Sequence, residues 1–443
     1  MLNKKTKVFY GIGDLGNALV NSAIQFFLMK FYTDAALILP SLAGNALLIG
    51  KIWDAVNDPL TGWFTDKTNS RFGKRRVFMI FGAVPLAISI ALLWYVPKMD
   101  RIWTFVWIAL TFMLFDTLWT LTNVPYYSLT SELTDDYDER SSLTTYRMVM
   151  AVPAYLIGAA LTPAIVGLFA LQRTGYAFIG IAYGAFCAVA LLVSAAGIRE
   201  RKGITITKPE ASPFKSFKLA MKNRAFVWLC GTYFIVNLSF AFIKVLMAYY
   251  VEYQLLMKAE TSLVMGLMLI CVTASLPFWQ WVSRKIDKGP AYGLGMLVGG
   301  LGVVLTYFLP HQSTGLIYPI AVLAGFGFSA QWIFPWAMVA DVADYDLLET
   351  GQQRSGVYYG IWGLATKISE AIALAGVGWI LTGFGYVPNV EQTPQALLGI
   401  RLFFGLIPAG IIFLSLPLLF KYPITRKKHA EVKAKLDAMK GTD

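Results

Sequence analysis

Two aspartates stand four residues apart within a long apolar stretch, in the run KIWDAVNDP at residues 51–59. A carboxylate at the centre of a membrane helix costs about 2.5–3.5 kcal/mol on insertion scales. At this spacing Asp54 and Asp58 share one helix face, where their charges repel each other. A bound cation or proton removes both penalties. The run therefore predicts a cation-binding site.

Other oxygen ligands for a small cation are available. Hard cations prefer carboxylate, carbonyl and hydroxyl oxygens, and Asn57 supplies a carbonyl while Thr120, on a later apolar segment, supplies a hydroxyl. Two repelling carboxylates can equally share one proton, so the residues leave Na⁺ and H⁺ both open. A structural ion pair between Lys51 and Asp54 is the alternative. The predicted cation site comprises Asp54, Asn57, Asp58 and Thr120.

The composition places these residues in a membrane protein. The chain has 443 residues, of which 57% are hydrophobic and 14% charged, with a mean hydropathy of +0.57. Soluble domains carry about 25% charged residues, so a soluble protein is excluded. Apolar segments recur that are long enough for helices across a ~30 Å hydrocarbon core, unlike the short alternating strands of β-barrels. Twelve spans are predicted: 7–32, 42–66, 76–96, 102–130, 143–170, 175–197, 224–255, 261–283, 291–309, 317–342, 357–384 and 398–422.

The basic residues follow the topology of a membrane protein and give no sign of nucleic-acid binding. The net charge is +12, and Lys and Arg cluster in alternate connections, such as 71–76 and 199–202. The connections at 33–41, 309–315 and 386–395 contain neither residue. This positive-inside pattern predicts that both termini lie in the cytoplasm. The expected location of the protein is the cell (inner) membrane.

The chain is predicted to form two related halves. The acidic run PYYSLTSELTDDYDERS follows the fourth span at 125–141, and a similar run, PWAMVADVADYD, follows the tenth at 335–346. Equivalent loops six spans apart indicate a parallel repeat. The predicted domains are a bundle at 1–197, a cytoplasmic linker at 198–223, a bundle at 224–422 and a tail at 423–443. Glu132, Arg140, Asp341 and Arg354 are predicted to form cytoplasmic latches between helices.

Polar residues recur at helical spacing within the predicted spans of both halves. On the first span they form one polar stripe, which comprises Asp14, Asn17, Asn21 and Gln25. Such groups normally face a bundle interior or an aqueous cavity, as a central binding site requires. Two structural alternatives stay open: Lys367 and Glu370 could neutralise each other, and Arg147 could extend towards the membrane surface. The predicted substrate residues are Asn17, Asn21, Gln25, Asp116, Trp119, Asn123, Tyr127, Arg147, Trp332, Trp362 and Lys367.

Enzymatic and metal chemistry have no visible basis in the sequence. Three cysteines lie singly in apolar runs, and the two histidines fall in a loop and in the tail. We expect no catalytic residue and no cofactor or metal beyond the transported Na⁺ or H⁺. The expected partners are a small solute, a monovalent cation and the lipid bilayer, with the protein acting as a monomer.

Several motifs resemble the glycoside–pentoside–hexuronide:cation symporter family of the major facilitator superfamily, over essentially the whole chain. They are YGIG at 10–13, FYTD at 31–34, IWDAVNDP at 52–59, VADVADY at 339–345 and YVPNVEQTPQALLG at 386–399. The resemblance implies an all-α membrane protein with the major facilitator fold, whose 12 transmembrane helices form two six-helix bundles. It also implies cation binding at Asp54, Asn57, Asp58 and Thr120, and a nearby sugar site that includes Arg147, Trp332 and Lys367.

The chain departs from this family where the substrate should bind. In the melibiose permease of that family, aspartates on the first and fourth helices hold the sugar; the matching positions here are Ala18 and Asn123. Charge-assisted hydrogen bonds are roughly twice as strong as neutral ones, so galactoside specificity is not expected. We expect a symporter that couples inward movement of a cation to uptake of a sugar or glycoside by alternating access. The alternative substrate is an amphiphile such as a lysophospholipid; a receptor or enzyme is the alternative of another class.

Overall fold

The computed structural model describes residues 2–68, 70–134, 137–200, 217–218, 220–312, 315–350 and 355–440, although not every side chain within them. These residues form helices and connections without any β-strand. The first six helices are α1 (Lys4–Lys30), α2 (Pro40–Lys67), α3 (Arg76–Leu93), α4 (Arg101–Leu133), α5 (Tyr137–Gly167) and α6 (Gln172–Gly197). The others are α7 (Arg224–Tyr249), α8 (Thr261–Ile286), α9 (Lys288–Tyr307), α10 (Ile317–Thr350), α11 (Ser355–Gly383), α12 (Pro394–Arg401), α13 (Ile407–Phe420) and α14 (Arg426–Lys440).

Each of the twelve predicted spans is helical. Within the described chain, ten segments are long and apolar enough to cross a membrane, the last running from α12 into α13. The segments below this limit are α1 and α2, which carry the polar residues singled out above. In these two helices, amides and carboxylates replace apolar side chains. The same polar residues therefore lower the hydropathy and supply the predicted binding groups.

Three π-helical turns occur among the described helices. α1 continues as a π-helix over Phe31–Ala35, and α7 does so over Tyr250–Gln254. In both cases a leucine with left-handed backbone follows closely, Leu37 with φ 58° and Leu256 with φ 56°. A third π-helix, Leu402–Leu406, joins α12 to α13. Since π-helical turns inside helices are frequent at functional sites, the ends of α1 and α7 become regions of interest.

Two compact units make up the chain. The first contains Met1–Ile206, Lys244–Gly266 and Leu374–Gly399, and the second contains Thr207–Ile243, Leu267–Ala373 and Ile400–Asp443. The predicted bundle boundaries at 197 and 224 stay a prediction, and most of the predicted linker at 198–223 lies outside the described residues. In the second unit α9 packs against α10 and α13, and α14 packs against α10.

Helix α1 is the centre of the first unit. It packs against α5 and α6, while α4 packs against α2 and α3. Small residues allow the close approach, as is common between membrane helices: a Cβ on Gly16 would lie 2.7 Å from Cys187 Cα, and one on Gly158 would lie 2.5 Å from the Leu19 carbonyl oxygen. This packing fixes the polar face of α1 against α4 and α5.

Candidate functional site

The four predicted cation ligands lie on two packed helices, α2 and α4. Asp54, Asn57 and Thr120 are buried, and Asp58 is half-buried. The Thr120 hydroxyl donates a hydrogen bond to Asp58 Oδ1 at 3.1 Å, so the threonine from α4 reaches the acidic face of α2. The structure therefore brings together carboxylate, amide and hydroxyl oxygens, which is the ligand chemistry that a hard cation requires.

Neighbouring groups complete the surroundings of this pair. Thr61 donates a hydrogen bond to Asn57 Oδ1 at 3.1 Å, and Asn57 Nδ2 lies 3.5 Å from the Asp116 carbonyl oxygen. Lys51 Nζ lies 3.7 Å from Asp54 Oδ2. That separation is within an ion pair's range but beyond the 2.7–2.9 Å of a charge-assisted hydrogen bond, so Lys51 and Asp54 form a loose pair.

The predicted polar stripe of α1 faces α4. Asn17 donates through Nδ2 to Asn123 Oδ1, and both amides are almost fully buried. Gln25 Nε2 donates to Asn21 Oδ1 at 3.2 Å, one turn along the helix. Trp119 is half-buried on α4. These amides form a neutral hydrogen-bonding surface between α1 and α4.

One ionic pair belongs to this surface. Arg147 Nε of α5 lies 3.2 Å from Asp14 Oδ2 of α1. The Tyr127 hydroxyl donates to Asp14 Oδ1 at 3.3 Å, and the Arg147 guanidinium lies over the Tyr127 ring at 4.8 Å from its centroid. Arg147 is therefore held against α1 and α4. Asp14 was part of the predicted stripe, but its partner on α5 was not foreseen, since no spacing rule links residues on different helices.

A cation from α7 reaches the same face of α1. Lys244 Nζ donates to Gln25 Oε1 at 3.0 Å, and the Tyr155 hydroxyl donates to the same oxygen at 2.8 Å. Lys244 is buried. The sequence signal was a lysine in an apolar run, to which no role had been assigned. Lys244 therefore joins the candidate substrate residues of the first unit.

The remaining predicted substrate residues, Trp332, Trp362 and Lys367, lie in the second unit. Trp362 is fully buried and stacks on Tyr233, with ring centroids 3.8 Å apart. Trp332 and Lys367 are half-buried. Their proximity to the α1 face stays a prediction.

Two of the predicted latch residues, Glu132 and Asp341, form ion pairs within their own units. Arg75 Nε, from the connection between α2 and α3, donates to Glu132 Oε1 at 2.8 Å. Lys288, at the start of α9, donates to both oxygens of Asp341 at 2.6 and 2.8 Å. The basic partners occupy equivalent connections six helices apart, as the predicted repeat requires. The Arg140 side chain and Arg354 lie outside the described residues.

A buried charge cluster at the end of α1 was not predicted. Lys30 Nζ lies 2.7 Å from Asp34 Oδ2 and 2.7 Å from Glu252 Oε2. The hydroxyls of Tyr253 and Tyr386 donate to Asp34 at 2.7 and 2.6 Å. FYTD had been noted only as a motif, and Tyr253 follows Asp34 by 219 residues, a separation that periodicity cannot bridge. We call Lys30, Asp34, Glu252, Tyr253 and Tyr386 the lysine cluster.

A transition-metal site is not indicated in the part of the chain that the structure describes. No group of three or more His, Cys, Asp or Glu side chains there could hold a metal ion. The α2–α4 site differs in kind, since amide and hydroxyl oxygens accompany its carboxylates. Alkali cations accept such ligands, whereas zinc prefers histidine and cysteine.

Comparison with known proteins identifies the class. Residues 9–426 match the family described as MFS/sugar transport protein. The glucuronide carrier protein homolog of Escherichia coli is 28% identical over 99% of this chain and 96% of its own length. The sodium-dependent lysophosphatidylcholine symporter 1 of Gallus gallus is 26% identical over 98% of this chain and 89% of its own. The nucleoside transporter NupG superposes with a TM-score of 0.67 at 11% identity, over 95% of this chain and 100% of that one, and so shares the fold.

The chain belongs to the MFS/sugar transport protein family, a family of membrane transporters. The expected all-α major facilitator fold is thereby confirmed, as is the resemblance to cation symporters, since relatives along the whole chain bear that name. The protein is a multi-pass membrane transporter and not an enzyme. The roles of individual site residues stay predictions.

Proposed function

We propose that this protein is a cation-coupled symporter of the cell membrane that takes up a sugar or glycoside together with Na⁺. The observation that carries the proposal is the meeting of Asp54, Asn57, Asp58 and Thr120 at the α2–α4 contact. The family membership and the symporter names of relatives support it. No resident cofactor is needed, and a single chain supplies the whole site.

Coupling follows from the packing of the first unit. Asp116 and Asn123 lie two turns apart on α4, which also carries Thr120 of the cation site. Asn123 in turn accepts the hydrogen bond of Asn17 on α1. A cation that fixes α4 through Thr120 would therefore order the amides that meet the solute. Binding free energies are reciprocal, so solute should raise cation affinity by the same factor.

The surface on α1 favours a hydroxylated solute. Its groups are mostly amides, and its Asp14–Arg147 pair is internally neutral. Neutral amides donate to and accept from sugar hydroxyls. The named activity of the avian relative favours a second candidate, a lysophospholipid, for which Lys244 and Arg147 would contact the phosphate.

The test is uptake into membrane vesicles under an imposed Na⁺ or H⁺ gradient. The labelled panel should include neutral glycosides, a glucuronide and lysophosphatidylcholine. We expect Na⁺-stimulated uptake of one sugar class, and we expect Asp58→Asn to abolish the stimulation while the protein still reaches the membrane. Glu431→Gln, which removes an exposed acid on α14, is the matched control. Full Na⁺ stimulation in Asp58→Asn would refute the cation site, and uptake of lysophosphatidylcholine alone would establish the second candidate.

A further inference from the structure

A pocket of about 480 Å³ opens in the first unit, away from the α2–α4 site. It lies among the connection from α1 to α2, the connection from α3 to α4 and the first turn of α6. Each of these two connections and the start of α6 follows an odd-numbered helix, so all three occupy one end of the unit. The positive-inside pattern predicts that this end faces outward, since the N-terminus is predicted to be cytoplasmic.

Three cations line this pocket: Lys98, Arg101 and Arg173. No acid is among the described residues that line it. Asp100, the residue before α4, is exposed and does not line it. Within the described chain none of the three cations forms an ion pair or a side-chain hydrogen bond. Among the described residues, the lining of the pocket therefore carries a net positive charge.

The position of these cations differs from that of most Lys and Arg residues, which cluster in the predicted inward connections. Short outward connections are normally poor in Lys and Arg, and those at 33–41, 309–315 and 386–395 contain none. An isolated cation at a membrane surface needs no explanation, because its side chain simply extends into water. The three cations here line one cavity from two separate parts of the chain, the start of α4 with the residues before it and the first turn of α6, and that grouping does require an explanation. A bound anion accounts for the convergence.

The remaining lining indicates what carries the anion. Leu37 is 67% exposed and Leu39 is 40% exposed, and both border the cavity beside the cations. Val96 and Met99 extend the apolar wall. Arginine and lysine are the residues that bind phosphate oxygens in proteins. A ligand with a phosphate and an adjoining apolar part matches both halves of the lining.

We propose that this pocket binds the phosphate group of an amphiphile whose apolar part lies on Leu37 and Leu39. A phospholipid of the outer leaflet and an approaching lysophospholipid share this chemistry. Binding here requires neither the cation site nor transport. Failure of the proposed symport would therefore leave this inference standing, and the reverse also holds.

The test is binding to the purified full-length protein in a neutral detergent, read as the shift in thermal unfolding midpoint over a titration. The probes are dihexanoyl phosphatidylglycerol, lysophosphatidylglycerol, dihexanoylglycerol without phosphate, and inorganic phosphate. The test variant is Lys98→Gln/Arg101→Gln/Arg173→Gln. The control variant, Lys4→Gln/Lys5→Gln/Lys427→Gln, removes the same charge from exposed positions elsewhere. Arg173→Gln alone serves if the triple variant does not fold.

We expect both phosphate-bearing lipids to bind the parent and the control variant, and the test variant to bind them at least tenfold more weakly. Arg173→Gln should show a smaller loss. Preference for the lysolipid over the diacyl probe would assign the pocket to an approaching single-chain ligand, and the opposite preference to a membrane lipid. If inorganic phosphate bound as tightly as the phosphate-bearing lipids, the assignment of an amphiphilic ligand would be overturned. If dihexanoylglycerol bound as tightly as the phosphate-bearing lipids, the assignment of a phosphate site would be overturned. Unchanged binding of those lipids by the test variant would overturn it as well.

Discussion

The first unit holds two pairs of acids in different surroundings. In the lysine cluster, Asp34 and Glu252 each lie 2.7 Å from Lys30, and tyrosine hydroxyls donate further hydrogen bonds to Asp34. In the α2–α4 site, Lys51 Nζ lies 3.7 Å from Asp54 Oδ2, and the Thr120 hydroxyl donates to Asp58 Oδ1 at 3.1 Å. The described contacts are thus short charge-assisted hydrogen bonds at the first place, whereas the second combines a longer lysine contact with a neutral hydroxyl donor.

The difference separates a structural role from an ion-binding role. A buried charge is tolerated when an opposite charge and hydrogen bonds compensate for its lost hydration. The lysine cluster contains that compensation and joins the first half of the chain to Glu252 in the second. At Asp54 and Asp58, a bound cation can supply part of this compensation. We therefore expect neutralising substitutions to destabilise the first region and to leave the second folded.

The largest effect on stability is expected from Lys30→Met. The substitution would leave two carboxylates in a buried cluster without their shared cation, and removal of one partner from a buried pair costs about 3–5 kcal/mol. The free energy of unfolding in detergent, or the thermal midpoint if unfolding is irreversible, measures this. Lys30→Met/Asp34→Asn should recover most of the loss, because Lys258 remains 2.8 Å from Glu252. Unchanged stability in the single variant would remove the contrast between the two regions.

Sodium is expected to stabilise the protein through the other region. A ligand that binds only the folded state adds RT ln(1 + [L]/Kd), about 2.7 kcal/mol at a hundredfold excess over Kd. Titration with NaCl against choline chloride at constant ionic strength should raise the thermal midpoint of the parent and of Glu431→Gln. Asp58→Asn should lack the shift, yet unfold no earlier than the parent in sodium-free buffer. A parental response in Asp58→Asn would place the cation elsewhere.

A smaller effect is expected from Arg147→Lys. Lysine keeps the charge opposite Asp14 but lacks the planar group that lies on Tyr127, and cation–π contacts contribute about 0.5–2 kcal/mol. Solute uptake at low concentration should fall several-fold while the sodium-induced thermal shift is retained. Loss of that shift would tie Arg147 to the cation instead of the solute.

The smallest effect is expected from Lys51→Met. The 3.7 Å separation from Asp54 is longer than a charge-assisted hydrogen bond, so the variant should unfold close to the parent. It should keep its sodium response, with higher sodium affinity because a competing charge is gone. Isothermal titration with NaCl measures that affinity. Loss of sodium binding in Lys51→Met would make the lysine part of the site and weaken the comparison.

Sequence reasoning reached the features that are local along the chain. The helices follow from apolar runs of membrane length, and Asp54, Asn57 and Asp58 share a face because of their spacing. Thr120 was proposed as a hydroxyl ligand on chemical grounds and then by family resemblance, and the structure shows its contact with Asp58. The partners of Asp14 and Lys30 were missed, because pairs such as Asp14–Arg147 depend on how helices pack, which periodicity does not encode. Lys98, Arg101 and Arg173 likewise share a pocket only after folding.

The π-helical turns that end α1 and α7 bear on the ancestry of the molecule. Each is followed by a leucine with left-handed backbone, and each carries an acid that meets Lys30, Asp34 in one and Glu252 in the other. An extra residue inserted twice, independently, at the same place in two halves is a less economical history than one insertion copied once. One insertion that preceded a duplication of the half would leave a widened turn at both positions, as this chain has.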